Sequence, residues 1–211
     1  MTKRPTVPWI YLITDRKACK NQDLLALLEQ AGEAGVDLIQ IREKDLSARA
    51  LADLVQAVRQ RLASSPTRVL VNDRVDVALA CGADGVHLTT RSLPTAVVRR
   101  LVGRDFLIGV STHSLEEAER AENEGADFIV LGPVFSTPSK QDFGPPLGLA
   151  AFEEIARRIT IPVLAIGGIT LDRAPEVIAR GASGIAAIRL FAQADSVAGV
   201  VAALKSSRPS L

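Results

Sequence analysis

The chain has 211 residues, of which 47% are hydrophobic, a composition ordinary for a globular domain with one well-buried core. Its formal charge is +1, and 25 Lys and Arg residues are interspersed with 24 Asp and Glu residues, so we expect no attraction to nucleic acid or to an anionic membrane. Residues 1–8 are polar and no apolar h-region of a signal peptide follows them, so we expect neither a signal peptide nor a membrane anchor, and a cytoplasmic location.

Short runs rich in Val and Ile recur along the chain, and a segment of helical periodicity follows each of them. This alternation predicts strand and helix units. In chain order the eight predicted strands are Trp9–Ile13, Val36–Ile41, Arg68–Asn72, Gly85–Leu88, Phe106–Val110, Asp127–Leu131, Pro162–Ile166 and Gly184–Ile188. The clearest predicted helices are 23–34, 48–62, 115–124, 149–159 and 172–180.

Eight strand and helix units predict an α/β fold, a single (β/α)8 TIM barrel spanning residues 1–211 as one domain. Glycine recurs where predicted helices lead into strands, at Gly35, Gly82, Gly125 and Gly181, and suits a left-handed cap there. In such a barrel the strand ends that lead into helices lie on one face, and that face carries the chemistry.

Polar residues cluster just beyond several of these strands. Arg42 and Lys44 alternate along what we predict to be an extended segment after Gln40, so both cations would point the same way and suit a diphosphate. A solvated salt-bridge surface is the alternative interpretation. Asn72 and Asp73 after the third strand could bind a magnesium-bound diphosphate, because a carboxylate is a hard ligand for that ion.

A second phosphate site is indicated near the seventh and eighth strands. Gly167 and Gly168 follow the seventh strand, where barrels often hold a phosphate on backbone amides. The long loop 132–148 is rich in Pro and Gly, so we predict a lid over the strand ends, with Lys140 as a further cation. His87 and His113 could act as acid, base or hydrogen-bond partner, or be purely structural.

The ordered motifs together resemble the thiamine phosphate synthase superfamily, which also includes the thiazole tautomerases. The resemblance spans Tyr11 to about Phe191. Its motifs are Tyr11-Leu12-Ile13-Thr14-Asp15, Gln40-Ile41-Arg42-Glu43-Lys44, Asn72-Asp73-Arg74-Val75-Asp76, Gly85-Val86-His87-Leu88, Gly109-Val110-Ser111-Thr112-His113-Ser114, Gly132-Pro133-Val134-Phe135 and Ala165-Ile166-Gly167-Gly168-Ile169.

The resemblance implies a transferase that joins hydroxymethylpyrimidine diphosphate to a (carboxy)hydroxyethylthiazole phosphate, giving thiamine phosphate and diphosphate. It implies that the pyrimidine diphosphate is held by Gln40, Arg42, Glu43, Lys44, Asn72, His87, Ser111 and Lys140. It implies that the thiazole phosphate is held by Thr137, Pro138, Ser139, Gly167, Gly168, Ile188 and Arg189. Asp73 would bind Mg²⁺.

At two positions the chain differs from the synthases that it resembles. After His87-Leu88 those enzymes usually read Gly-Gln-Glu-Asp, whose Asp is a second magnesium ligand, whereas this chain has Ser92 at that position. A hydroxyl is the weaker ligand, so we expect a weakened Mg²⁺ site. Arg189 stands where the synthases typically carry Ser, and it would either grip a phosphate or block the site.

Two other functions stay open at this point. A thiazole tautomerase needs a base but no diphosphate site or metal; its working histidine falls at Pro133 here, so His113 would have to be the catalytic base. A barrel that binds thiamine precursors without turnover is the third. The sequence leaves the oligomeric state open, with a homo-oligomer as one expectation.

Overall fold

In the computed structural model, which describes residues 8–19, 23–137 and 145–206, parallel strands close into a barrel in chain order. The strands are β1 (Trp9–Ile13), β2 (Leu38–Ile41), β3 (Arg68–Asn72), β4 (Gly85–Leu88), β5 (Leu107–Thr112), β6 (Phe128–Leu131), β7 (Val163–Ile166) and β8 (Gly184–Ala187). Strand β8 pairs with β1, with Ile185 opposite Ile10, which completes the closure. The predicted TIM barrel is confirmed, and every strand lies within about two residues of its predicted ends.

Helices cover the outside of the barrel. They are α1 (Leu24–Ala34), α2 (Ala48–Arg61), α3 (Val75–Ala80), α4 (Thr95–Val102), α5 (Leu115–Asn123), α6 (Gly148–Arg158), α7 (Ala174–Ala179), α8 (Arg189–Ala192) and α9 (Val197–Ser206). The five predicted helices are confirmed. Asp23, Ser47 and Ser114 cap α1, α2 and α5 by accepting a backbone N–H of the first turn, which fixes where these helices begin.

The repeated glycines have the predicted backbone conformation. Gly35, Gly82, Gly125 and Gly181 have φ angles of 82°, 64°, 94° and 90°. Only glycine adopts this left-handed region without strain, so each lets the chain leave a helix and enter the next strand within a few residues.

Side chains that alternate along each strand build two separate apolar cores. One alternation packs outward against the helices. The other fills the barrel interior, with Tyr11, Leu70, Phe128 and Leu164 fully buried there. The Phe128 ring lies edge-on to Tyr11, with centroids 5.6 Å apart, so aromatic packing supports the polar groups nearer the mouth.

Within the described segments no helix combines the length and apolar character needed to cross a membrane. These segments form one closed barrel. That residues 1–211 make a single domain, and that the protein forms a homo-oligomer, stay predictions.

Candidate active site at the carboxyl ends of the strands

Four polar side chains form a hydrogen-bonded chain in the barrel interior, which we call the interior chain. Gln40 Nε2 donates to Tyr11 Oη over 2.9 Å, and Tyr11 Oη lies 3.2 Å from His87 Nδ1. His87 Nε2 lies 2.9 Å from Ser111 Oγ. Gln40, Tyr11 and His87 are buried, whereas Ser111, near the carboxyl end of β5, is half-buried. The structure thus brings together three predicted site residues.

Sequence reasoning missed the fourth member, Tyr11, as a functional residue. The sequence did contain a signal for it. Tyr11 is one of the alternate residues of β1 that face the interior, where a tyrosine hydroxyl needs a hydrogen-bond partner. Its partners come from strands far along the chain, and only the closed barrel brings them within hydrogen-bond distance.

Burial keeps both titratable groups of the interior chain neutral. Desolvation, and to a smaller extent the positive charge of Arg42, lowers the pKa of His87 to about 3. Desolvation raises the pKa of Tyr11, only partly opposed by the hydrogen bond from Gln40. At neutral pH the chain therefore contains a phenol and an uncharged imidazole, and it carries no acid or base that titrates in that range.

The two cations after β2 are placed differently from each other. Strand β2 ends at Ile41; Arg42 is half-buried, and its backbone N–H donates to Thr14 Oγ1 over 2.8 Å. Lys44 is exposed and lies in a turn. The predicted extended segment through Lys44 was therefore wrong, because the chain turns toward α2. Arg42 remains close enough to the interior chain for its charge to act on His87.

Glu43 joins the loop after β1 to the loop after β2. Its buried carboxylate accepts the backbone N–H of Arg16 at 3.1 Å and the Arg16 guanidinium at 3.0 Å. Arg16 also binds Asp45, and this hydrogen bond, with that from Lys17, holds the pKa of Asp45 below its usual range. Both Glu43 oxygens have a partner, so in the structure this residue fixes two rim loops.

Asn72 and Asp73 occupy the corner between β3 and α3. Asn72 is half-buried and pairs in register with His87. Asp73 is exposed and has a φ of 64°, a left-handed conformation that Asp tolerates better than most residues. Its backbone N–H donates to the carbonyl of His87 over 2.9 Å. The carboxylate of Asp73 is therefore exposed on the carboxyl side of adjoining strands.

Ser92, at the position of the expected second magnesium ligand, belongs to a turn that satisfies its hydroxyl. Ser92 Oγ accepts the backbone N–H of Thr89 over 2.8 Å and lies 3.2 Å from Thr89 Oγ1. In the part of the chain that the structure describes, no group of three or more His, Cys, Asp or Glu side chains could hold a metal ion.

Gly167 and Gly168 lie against the start of the predicted lid. Val134 and Phe135 donate backbone N–H groups to the carbonyls of Ile166 and Gly167, at 2.8 and 3.0 Å. A Cβ at Gly168 would come within 2.7 Å of Ser136 O, and its φ is 65°. Close approach of two loops therefore explains this glycine pair, whether or not it also holds a phosphate.

Arg173 secures the same junction and was not predicted. Its Nη1 donates to the carbonyl of Gly168 over 3.0 Å, and its guanidinium lies 4.7 Å from the centroid of the Phe135 ring. Thr137 is half-buried at the end of the described part of this loop. The predicted site residues Pro138, Ser139 and Lys140 lie outside the described residues.

Ile188 and Arg189 follow β8. Ile188 is half-buried against the interior core, and Arg189 is exposed as the first residue of α8. Arg189 lines a cleft of about 470 Å³ between the rims of β1 and β8. The other lining residues are Asp15, Lys17, Ala18, Cys19 and Gln193. Arg189 is therefore on the carboxyl side of the barrel and open to solvent.

His113 lies one residue beyond β5 and is held by the first turn of α5. Glu117 Oε2 accepts the His113 backbone N–H at 2.7 Å and lies 3.2 Å from its Nδ1. A carboxylate on Nδ1 orients an imidazole, so His113 retains the geometry of a candidate acid or base. Its catalytic role stays a prediction.

Known proteins match the chain over the whole barrel. The family model described as thiamine monophosphate synthase matches residues 10–191. The thiamine-phosphate synthase of Roseiflexus castenholzii is 44% identical over 179 residues, which cover 85% of this chain and 78% of that protein. The thiamine-phosphate synthase of Clostridium novyi is 40% identical over 190 residues, covering 90% and 93% of the two chains.

A solved structure agrees with these sequence matches. The thiamine phosphate pyrophosphorylase from Pyrococcus furiosus superposes with a TM-score of 0.85 at 36% identity, covering 94% of each chain. These relatives favour the synthase over the tautomerase and the binding-only barrel. The chain therefore belongs to the thiamine monophosphate synthase family and is a transferase of thiamine biosynthesis.

Proposed function

We propose that this protein joins hydroxymethylpyrimidine diphosphate to hydroxyethylthiazole phosphate, with or without a carboxyl group on the thiazole, and releases diphosphate, together with carbon dioxide where the thiazole carries the carboxyl group. One observation carries the proposal: in a chain of this family, Gln40, Arg42, Asn72 and Ser111 lie at the carboxyl ends of β2, β3 and β5. Parallel strand ends share one face of a barrel, so these groups can act on one substrate.

The pyrimidine diphosphate would lie over β2 to β5. Arg42 and Lys44 would bind the diphosphate oxygens as charge-assisted donors, and Asn72 and Ser111 would add neutral donors. His87 would act on this substrate through Ser111, since both of its ring nitrogens have partners in the interior chain. Glu43 would position the two rim loops through Arg16, because a free carboxylate would repel the substrate's phosphates. Lys140 would add a cation from the lid.

The reaction exchanges one bond for another at the pyrimidine methylene carbon. The carbon–oxygen bond breaks and its electron pair leaves with the diphosphate, while the thiazole nitrogen donates its lone pair to that carbon. Negative charge develops on the diphosphate oxygens, and the positive charge that develops on the methylene carbon ends on the thiazolium ring. The protein's part is to hold the two substrates in line and to stabilise the growing negative charge with fixed donors.

Asp73 would hold Mg²⁺ together with the diphosphate oxygens of the substrate. An exposed carboxylate on the rim fits a magnesium ion that keeps several waters. Ser92 supplies no second charge because its hydroxyl is neutral, and the hydroxyl oxygen already accepts the Thr89 backbone N–H. When bound, the ion would neutralise charge on the leaving group. We therefore propose that the metal binds with the substrate more strongly than it binds the protein alone.

The thiazole phosphate would bind on the opposite side of the mouth. Thr137, Pro138 and Ser139 of the lid, with Gly167, Gly168 and Ile188, would surround its phosphate, and the exposed Arg189 would supply a cation. His113 has no role in the proposed transfer to hydroxyethylthiazole phosphate, because joining the thiazole nitrogen to the methylene carbon requires no proton shift. The proposed location is the cytoplasm, where both phosphorylated precursors would be formed.

The test supplies purified protein with Mg²⁺ and both phosphorylated precursors, and measures thiamine phosphate and diphosphate by chromatography. Equal amounts of the two products are expected. Arg157→Ala, which removes an exposed cation from α6 on the outside of the barrel, is the matched control for arginine variants at the carboxyl ends of the strands, such as Arg42→Ala. Absence of both products at every Mg²⁺ concentration contradicts the proposal, and interconversion of carboxythiazole phosphate isomers instead would identify a tautomerase.

A further inference from the structure

We infer that Tyr11 is a positioning residue that acts through His87 to present the hydroxyl of Ser111 as a hydrogen-bond donor to the diphosphate. The inference rests on the proposed function. It extends that function to a buried phenol that lies inside the barrel rather than on the rim.

The direction of the interior chain follows from its first bond. Gln40 Nε2 carries only hydrogen-bond donors, so Tyr11 Oη accepts there. Tyr11 is fully buried, and within the described residues its hydroxyl has one other partner, His87 Nδ1. The phenolic proton must therefore point to Nδ1, since a buried hydroxyl proton without an acceptor is unfavourable.

That proton fixes the tautomer of His87. An Nδ1 atom that accepts a hydrogen bond leaves the single proton of a neutral imidazole on Nε2. An imidazole whose Nδ1 accepts a hydrogen bond carries one proton and is neutral, which suits a ring that is buried. Nε2–H then donates to Ser111 Oγ, 2.9 Å away.

The last member of the chain is left with a proton to donate. Ser111 Oγ accepts from His87, and its own O–H finds no acceptor among the described residues. Ser111 is half-buried, in β5 on the carboxyl side of the barrel, where the diphosphate is proposed to bind. A fixed donor needs no reorientation when negative charge develops, so this arrangement favours the leaving group.

Packing holds the chain in place. Phe128 contacts both the Tyr11 and the His87 rings, with centroids 5.6 and 6.1 Å away. A Cβ at Gly109 would lie 2.7 Å from His87 Nδ1, so glycine is required for the imidazole to fit. The rings therefore have little freedom to turn, and the hydrogen-bonded atoms stay within reach of one another.

Nitrogen NMR of histidine-labelled protein tests the direction without any substrate. The chain has two histidines, so His113→Asn assigns the His87 signals by elimination. We expect wild-type His87 to carry its proton on Nε2 and Tyr11→Phe to populate both tautomers, because the acceptor role of Nδ1 is no longer enforced. A wild-type imidazole protonated on Nδ1 overturns the inference.

Binding of hydroxymethylpyrimidine diphosphate, measured by calorimetry, tests the consequence. We expect Ser111→Ala to weaken binding about 10- to 100-fold and Tyr11→Phe about 5-fold, while the double variant matches Ser111→Ala alone. Phe128→Leu is the packing control, since it loosens the same interior without removing a hydrogen bond; it should leave the tautomer unchanged.

The outcomes separate this inference from the proposed function. Unchanged affinity in Tyr11→Phe, or additive losses in the double variant, overturns the positioning role even if the protein makes thiamine phosphate. Binding of the pyrimidine diphosphate without turnover contradicts the proposed function alone. Absence of binding in the wild type overturns both.

Discussion

The backbone N–H of Asp73 donates to the carbonyl of His87 over 2.9 Å, so the exposed carboxylate after β3 is fixed to the strand that carries the buried imidazole. The bond connects the proposed metal ligand to the interior chain through the backbone. Because Asp73 also has a left-handed φ of 64°, the corner is both strained and anchored, an arrangement found more often at functional sites than elsewhere.

Asp73→Asn should remove the charge of the proposed magnesium ligand while leaving the corner intact. Asn tolerates a left-handed backbone as well as Asp does, so the fold should persist. We expect kcat/KM to fall roughly 10²-fold, because charge stabilisation of the leaving group by a metal is worth several kcal/mol. The measurement is kcat/KM over a range of Mg²⁺ concentrations.

A neighbouring carboxylate supplies the control for this variant. Asp76, in the first turn of α3, pairs with Arg74 and is exposed, so Asp76→Asn removes the same charge nearby and leaves Asp73 and its bond to His87 in place. Equal magnesium dependence in Asp73→Asn and the wild type would contradict the assignment of Asp73.

Ser92→Asp should strengthen the magnesium site. Aspartate can accept the Thr89 backbone N–H as Ser92 does, so the turn should survive, and a second carboxylate would be added near the rim. We expect the Mg²⁺ concentration for half-maximal rate to fall about tenfold, equivalent to about 1.4 kcal/mol. Ser92→Asn, uncharged and of the same shape, should show no such fall; a fall in both variants would exclude a charge effect.

Arg42→Ala should weaken the pyrimidine diphosphate selectively. A lost charge-assisted hydrogen bond costs about 1.5–3 kcal/mol, so KM for this substrate should rise about 10- to 100-fold, while KM for the thiazole phosphate changes little. Arg42→Lys should recover part of the loss, since it retains the charge but not the forked geometry. Steady-state kinetics with each substrate varied in turn measures the effect. A rise confined to the thiazole phosphate would place Arg42 on the wrong side of the proposed site.

The sequence predicted the barrel because its strands are short, rich in Val and Ile and separated by long periodic segments. Helices α3, α4, α8 and α9 were not among the clearest predicted helices, and α8, with four residues, is too short to show a helical period. The turn at Lys44 was also not predicted. The alternation of Arg42, Glu43 and Lys44 fits a strand, but the Glu43 carboxylate binds Arg16, 27 residues away, and that contact leaves no local pattern in the sequence.

The positions of several polar residues at strand ends could be predicted from the sequence, whereas the interior chain could not. Gln40, His87 and Ser111 stand at strand ends, which is a local signal. Their contact through Tyr11 depends on the register of the closed sheet, in which β1 lies between β2 and β8. Sequence separations of 29 and 76 residues between Tyr11 and its partners leave no local pattern.

His87 should make the protein sensitive to mild acid. Its folded pKa is lowered to about 3 from the ordinary value of 6.5, so between these values the unfolded chain binds a proton that the folded protein excludes. The stabilising contribution of the neutral ring is complete above about pH 6.5 and is lost as the pH falls toward 3. Between pH 7 and pH 5 this amounts to about 2 kcal/mol of the free energy of unfolding.

Denaturant unfolding of wild-type protein and His87→Gln at both pH values measures this contribution. Glutamine does not titrate and can still donate to Ser111, so the variant should lose about 2 kcal/mol less between pH 7 and pH 5 than the wild type. His113 is present in both proteins, and its contribution cancels in the comparison. Parallel losses in the two proteins would mean that the folded barrel accepts a proton on His87 near pH 6, which is incompatible with a neutral imidazole between Tyr11 and Ser111.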